Sequence, residues 1–158
     1  LEERGQVRRG YFVAGLGAAQ FALPGAVDRL RDARRVDPDR SVVLALAAAD
    51  PAQPYGAALA WPPSAGRPSR ALGAFAVLVD GQPLVYLERG GRSLVLFEGA
   101  MDDTRWIDAL VRLVASRRVA KIEIAKVDGA SINERPDVAE CLIAGGFRPG
   151  YRGPTLRL

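Results

Sequence analysis

"GAFAVLVDGQPLVYLERGGRSLVLFE", residues 73–98, is the stretch from which the architecture follows. Three apolar runs, "GAFAVLV", "PLVYLE" and "SLVLFE", are separated by two turn signals. Asp80-Gly81 is a two-residue loop of the kind that adopts positive φ at both positions, and Gly90-Gly91 marks a second reversal. The segment reads as a three-stranded antiparallel meander. Its runs are nearly continuous and do not alternate cleanly with polar residues, so both faces of the sheet are expected to be covered. Closure into a barrel, or helices packed over the sheet, would do that.

Upstream, "SVVLALAAADPAQPYGAALAWPPSAGRPSR" (41–70) begins as a buried strand over 41–48. It then breaks into a loop, because Pro51, Pro54, Pro62, Pro63 and Pro68 cannot sit in a central ladder. Downstream, Asp102 and Asp103 are candidate caps for a helix over "TRWIDALVRLVAS" (104–116), where Trp106, Leu110 and Leu113 form one stripe. "KIEIAKV" (121–127) alternates as a half-exposed strand. Pro136 opens another helix, with Val138, Leu142 and Ile143 facing inward and Gly145-Gly146 ending it. "TLRL" (155–158) reads as a closing strand.

The chain opens on two strands, 7–13 and 18–23, around "AGLG" (14–17), where Gly15 and Gly17 can take positive φ. Pro24 then suits the first turn of a short amphipathic helix that presents Ala26, Val27, Leu30 and Ala33 on one face and is ended by "RRVDPDR" (34–40). The fold class is therefore α+β: an antiparallel, barrel-like sheet with about three helices, preceded by a β-hairpin. A hairpin with almost no lead-in, in a chain whose first residue is Leu1, is expected to be the tail of a domain that begins upstream.

At 158 residues the chain can bury one substantial core. No apolar run reaches the ~20 residues of a membrane span, so no membrane partner is expected. Cys141 is the lone cysteine, which precludes an internal disulfide and fits a reducing, cytoplasmic setting. There is no histidine, which closes Ser-His-Asp and Cys-His catalysis and histidine-dependent metal sites. No G-x-x-x-x-G-K-[ST] phosphate loop is present either. No catalytic residue, metal or cofactor is expected within this stretch.

The net charge is +4, carried almost wholly by arginine, since Lys121 and Lys126 are the only lysines. Guanidinium forks suit phosphate oxygens, although a GC-rich genome also enriches arginine. The distribution is more pointed: after Glu140 no acidic side chain follows, while Arg148, Arg152 and Arg157 remain. Tyr11, Tyr55 and Trp61 are candidates for stacking on nucleobases. Arg8 and Arg9 precede Tyr11, and strand parity puts Arg9 on its face. Asp102-Asp103 read as carboxylates complementing a helix dipole before they read as a metal pair. Asp128, followed by Gly129, reads as a turn residue, with water activation as the alternative.

"RRGYFVAGLGAAQFALPGAVDRLR", "DPAQPYGAALAWP", "VLVDGQPLVYLERGGRSLVLFE" and "AGGFRPGYRGPTLRL" together resemble the large helicase-related (Lhr) family of ATP-dependent DNA helicases, in order and over nearly the whole chain. The resemblance implies two RecA-like motor domains upstream, a winged-helix domain, and a β-barrel-like module after it. Residues 1–23 would be the wing hairpin and 24–158 the accessory module. It further implies ATP- and Mg²⁺-driven 3′-to-5′ translocation on single-stranded DNA in DNA repair, with the motor motifs outside this segment. The expected role here is DNA contact through Arg8, Arg9, Tyr11, Gln20, Tyr55, Trp61, Arg148 and Arg152. Bracing of the motor or docking of a partner is the alternative. The chain is also similar to alkylpurine DNA glycosylases that carry a Q-x-Q element, but here Gln20 stands alone in "AAQFA", which weakens a base-excision reading.

Overall fold

The structure, a computed structural model, describes residues 5–35 and 41–157. The opening hairpin forms from β1 (Arg8–Gly10) and β2 (Gln20–Ala22), paired antiparallel. Both strands are shorter than their apolar pattern, because the Gln20 side chain takes over the ladder near the turn. Its Oε1 accepts the N–H groups of Phe12 (2.9 Å) and Val13 (2.8 Å), and its Nε2 donates to the Val13 carbonyl (2.8 Å). Helix α1 (Ala26–Ala33) follows, with no buried residue, and Leu30 on its apolar side is 40% exposed. Most of the segment read as ending this helix, residues 36–40, lies outside the described residues. Among the described residues, no hydrogen bond or ion pair joins 5–35 to 41–157.

From residue 41 onward the meander appears where its turns place it. β3 (Val43–Ala47), β4 (Phe75–Val79), β5 (Gln82–Leu87) and β6 (Ser93–Leu96) pair antiparallel in sequence order. Asp80 and Gly81 have φ of 50° and 84°, as a tight hairpin between twisted strands requires. Pro83 is tolerated inside β5 because the register shifts there: Val77 faces Val85, while Leu78 faces Pro83.

Helix α2 (Arg105–Ala115) then carries the chain across, and β7 (Lys121–Glu123) and β8 (Lys126–Val127) follow. The apolar alternation of "KIEIAKV" does not make one strand. It breaks at Ile124-Ala125, where the Ile124 N–H turns to the Pro154 carbonyl and the Ala125 N–H to that of Arg92. β8 joins the meander beside β6, and β9 (Ala130–Ser131) pairs with β8 at the sheet's other end. A short 3₁₀ turn (Ile132–Glu134) leads to α3 (Pro136–Ala144), and β10 (Thr155–Arg157) closes by pairing antiparallel with β7. Gly153 makes that return possible: its φ is 138°, and a Cβ there would strike the Ile124 carbonyl oxygen.

The α+β class and three α-helices agree with expectation, and two details do not. β6 and β8 run parallel, because the connection between them contains α2 and brings the chain back in the same direction. Among the described residues the six-stranded sheet is open, ordered β3-β4-β5-β6-β8-β9, and does not close into a barrel.

Coverage of both sheet faces is achieved differently. On one face, Phe75, Val77, Val79, Val85, Leu87 and Leu94 pack against Trp106, Leu110 and Leu113 of α2 and Val138 and Leu142 of α3. Burying each such side chain is worth about 1.5–3 kcal/mol. Trp106 satisfies its indole N–H with the Ala100 carbonyl at 2.7 Å. Ile143, expected inward, is 42% exposed. At the N-terminus of α2, Asp103 is the carboxylate that accepts the Arg105 N–H (3.1 Å), while Thr104 holds the cap position.

The second face, bearing Ala76, Leu78, Tyr86, Val95 and Phe97, is covered by the proline-rich loop. Fully buried Gln53 organises that loop: its Nε2 donates to the carbonyls of Ala48 (3.2 Å) and Tyr55 (2.9 Å), and its Oε1 accepts the Tyr55 N–H. Arg70 binds the carbonyls of Gln53, Ala49 and Asp50 from the other side. Proline contributes no N–H, so this loop leaves fewer donors to satisfy against an apolar sheet.

Candidate nucleic-acid interface

The hairpin register sorts its side chains onto two faces. Arg9 lies opposite Phe21, Gly10 opposite Gln20 and Arg8 opposite Ala22. Directly opposed residues project to the same side of a ladder. The Phe12 ring lies against Gly10, within 3.0–3.5 Å of where a Cβ would stand, so the Arg8 face is the one Phe12 covers. Alternation returns Tyr11 to the face of Arg9 and Phe21. That face is open: Tyr11 is 80%, Phe21 62% and Leu23 68% exposed. One guanidinium and two aromatic rings thus share a surface on a hairpin clipped by Gln20.

The eight residues singled out from sequence separate on this structure. Alternation sets Arg9 and Tyr11 on one face and Arg8 on the other. Gln20 is turned into the hairpin, with both ends of its amide engaged. Phe21 and Leu23 were missed. Their period-two spacing in "QFAL" was visible, but the pairing of Phe21 with Arg9 depends on the register across the turn.

Tyr55 lies in the core, and Trp61, partly buried, packs against it. Tyr55 is buried, its hydroxyl donates to the Gly81 carbonyl at 3.0 Å, and desolvation raises its phenol pKa, so it stays a neutral donor. The Trp61 ring stacks on Phe97 (6.0 Å, 4°) and contacts Tyr86 edge-on (5.5 Å, 75°) and Tyr55 (5.8 Å, 29°). Both rings are thus engaged with protein side chains, Tyr55 by burial and Trp61 by its contacts with three other rings. Arg148 and Arg152 are exposed. Arg148 pairs with Thr155 through two backbone bonds of 2.8 Å, which extends the β7–β10 ribbon by one row.

Asp128, Asp80 and Asp103 are engaged by groups of the protein itself. Asp128, at φ 54°, accepts the Leu96 N–H at 2.8 Å and the Arg135 guanidinium at 3.2 Å, and Arg135 in turn grips Asp137. Arg135 also holds the Asp137 carboxyl below its usual range. Asp80 accepts the Ser41 hydroxyl (2.6 Å) and the Val42 N–H (2.7 Å), and these bonds, with the nearby Arg105 charge, lower its pKa. Asp103 is held low by its bond to Arg105. Among the described residues, no group of three acidic, cysteine or histidine side chains could hold a metal, and no helix is long and apolar enough to cross a membrane.

Comparison with known proteins adds three findings. Residues 1–42 match the family model described as the large helicase-related protein, winged-helix domain, which spans the hairpin and α1. The chain is 43% identical over 169 aligned positions, covering 99% of it, to the Lhr helicase/probable uracil glycosylase of Mycolicibacterium smegmatis. It is 41% identical over 102 positions, 62% of the chain, to the Lhr helicase/uracil glycosylase of Escherichia coli. These alignments span only 11% and 7% of the two relatives' own lengths.

Proposed function

The chain belongs to the large helicase-related (Lhr) family, and from that premise we propose that it is an accessory module through which a helicase contacts single-stranded DNA. The observation that carries the reading is the open hairpin face of Arg9, Tyr11 and Phe21. A cation supplies a phosphate contact, and exposed rings supply stacking surfaces that tolerate any base. In this reading the hairpin is the wing of a winged-helix domain. ATP and Mg²⁺ serve RecA-like domains elsewhere in the longer protein, which translocates 3′ to 5′ and acts in DNA repair.

One observation favours a second reading. Tyr11, Phe21, Leu23 and the apolar side of α1 are uncovered together, as surfaces that pack on a neighbouring domain are. The module would then brace the upstream domains without touching DNA. Base excision, the other activity in the relatives' names, gains no support from Asp128, whose carboxylate is already bound by Leu96 and Arg135.

The test is single-strand binding by the full protein as a function of salt. Arg9→Ala should lower affinity for all sequences and reduce the salt slope by about 0.7, one phosphate contact on a single strand. Tyr11→Ala and Phe21→Ala should each cost about 1–3 kcal/mol of binding. Folding should be unaffected, because these side chains are exposed. Unchanged affinity and slope in all three variants would overturn DNA contact through the hairpin and favour bracing by that face.

A further inference from the structure

We propose that the outer face of the β7–β10 ribbon, with the hollow beside it, is a second phosphodiester-binding track, separate from the hairpin, that holds consecutive phosphates of a single strand. The proposal rests on the reading of the chain as a nucleic-acid-contacting module but uses none of the hairpin's residues.

The ladder builds the surface. Ile122 pairs with Leu156 and both turn toward the core. Their neighbours must therefore face outward: Arg157 opposite Lys121, and Thr155 opposite Glu123. Arg148, bridged to the far side of Thr155, joins the same face. Lys121, Arg148 and Arg157 line a hollow of about 340 Å³ together with Gly146, Pro149 and Gly150. Next to it, Arg92, Lys126 and Arg152 line another of about 310 Å³. Six of the chain's 22 basic residues thus border two adjoining open hollows.

The charge arrangement is unfavourable without a ligand. Like charges directly opposite on a ladder destabilise it, and Lys121 and Arg157 are such a pair. Glu123 offsets only part of this, through its 3.2 Å ion pair with Lys121. Among the described residues, no carboxylate lies within ion-pair distance of Arg92, Lys126, Arg148, Arg152 or Arg157. A row of phosphates crossing the ribbon would separate and neutralise these cations. Open hollows with several forks suit a chain passing over them better than an enclosed small molecule.

The two lysines give a direct readout, because Lys121 and Lys126 are the only lysines of this chain and each lines one hollow. The full protein is acetylated at lysine with and without saturating oligodeoxythymidylate, and the two positions are followed by mass spectrometry. Both should be protected by DNA. Arg148→Gln should lower the salt slope of binding by about 0.7. Arg157→Gln should do the same while the melting temperature holds or rises, since a like-charge pair has been removed. Acetylation of both lysines at the free-protein rate under saturating DNA would overturn the proposal, as would an unchanged slope in both variants. If hairpin variants lose binding while the lysines stay unprotected, this track fails and the hairpin reading stands. Protected lysines with hairpin variants that bind normally give the reverse result.

Discussion

Trp61 separates a core aromatic from a base-stacking one, and its replacement can be worked through from the structure. Truncating a well-packed tryptophan costs about 3–5 kcal/mol, and Trp61 is only partly buried, so Trp61→Ala should cost ~3 kcal/mol. It empties the space between the rings of Phe97, Tyr86 and Tyr55 and uncovers the second sheet face. Trp61→Phe should behave differently. Among the described residues the indole N–H is buried without an acceptor, a defect worth about 1–3 kcal/mol that phenylalanine does not have. That gain offsets most of the lost area, so the net cost should fall below about 1 kcal/mol. Urea denaturation reads both variants. With slopes of about 1–3 kcal/mol per molar, the alanine variant's midpoint should drop by roughly 1–3 M at unchanged slope, and the phenylalanine variant's far less. DNA affinity, measured where each variant is folded, should not change. An unmoved midpoint combined with weakened single-strand binding would refute this account and return Trp61 to the interface.

Two further outcomes follow from named contacts. Gln20→Ala should release the Phe12 and Val13 amides, with a local loss of about 1–2 kcal/mol that speeds their hydrogen exchange roughly 5–30-fold; unchanged exchange would mean the clip is not stabilising. Asp80 has a folded pKa below its unfolded value of about 3.9, so the stability it lends is present above that value and is lost as pH falls through the folded pKa. Melting temperatures of the parent and of Asp80→Asn, which keeps a residue tolerant of positive φ, should therefore differ at neutral pH and converge in acid; a difference independent of pH would show that the Ser41 and Val42 bonds do not favour the ionised form.

What was legible in the sequence was local. Asp80-Gly81 and Gly90-Gly91 marked the meander because a tight reversal needs residues that accept positive φ, and four such residues stand there. The α2 stripe was legible for a similar reason: Trp106, Leu110 and Leu113 repeat at the helical period and are buried. The parallel β6–β8 pair was not legible, because it joins segments separated by a whole helix and "KIEIAKV" alternates the same way in either partnership. Continuous apolar runs showed that both sheet faces had to be covered, but could not show by what. The cover is a loop whose order comes from Gln53 and Arg70, each binding main-chain carbonyls brought together only by the folded loop.

The same distinction governs the two candidate surfaces. Parity along one strand was enough to join Arg9 to Tyr11, since adjacent residues alternate whatever their partners do. Phe21 enters only when the partner strand and its register are known, because a one-residue slip would send its ring to the Gln20 side. On the β7–β10 ribbon the effect is larger. Composition marked the end of the chain as basic, but Lys121 belongs to another segment, and the register alone sets it opposite Arg157. A slip there would turn Leu156 out and Arg157 in, exposing an apolar side chain and burying a guanidinium. The burial of Ile122 against the core therefore forces the two cations into opposition. Their repulsion is a consequence of how this fold closes, and a bound anion is what would relieve it.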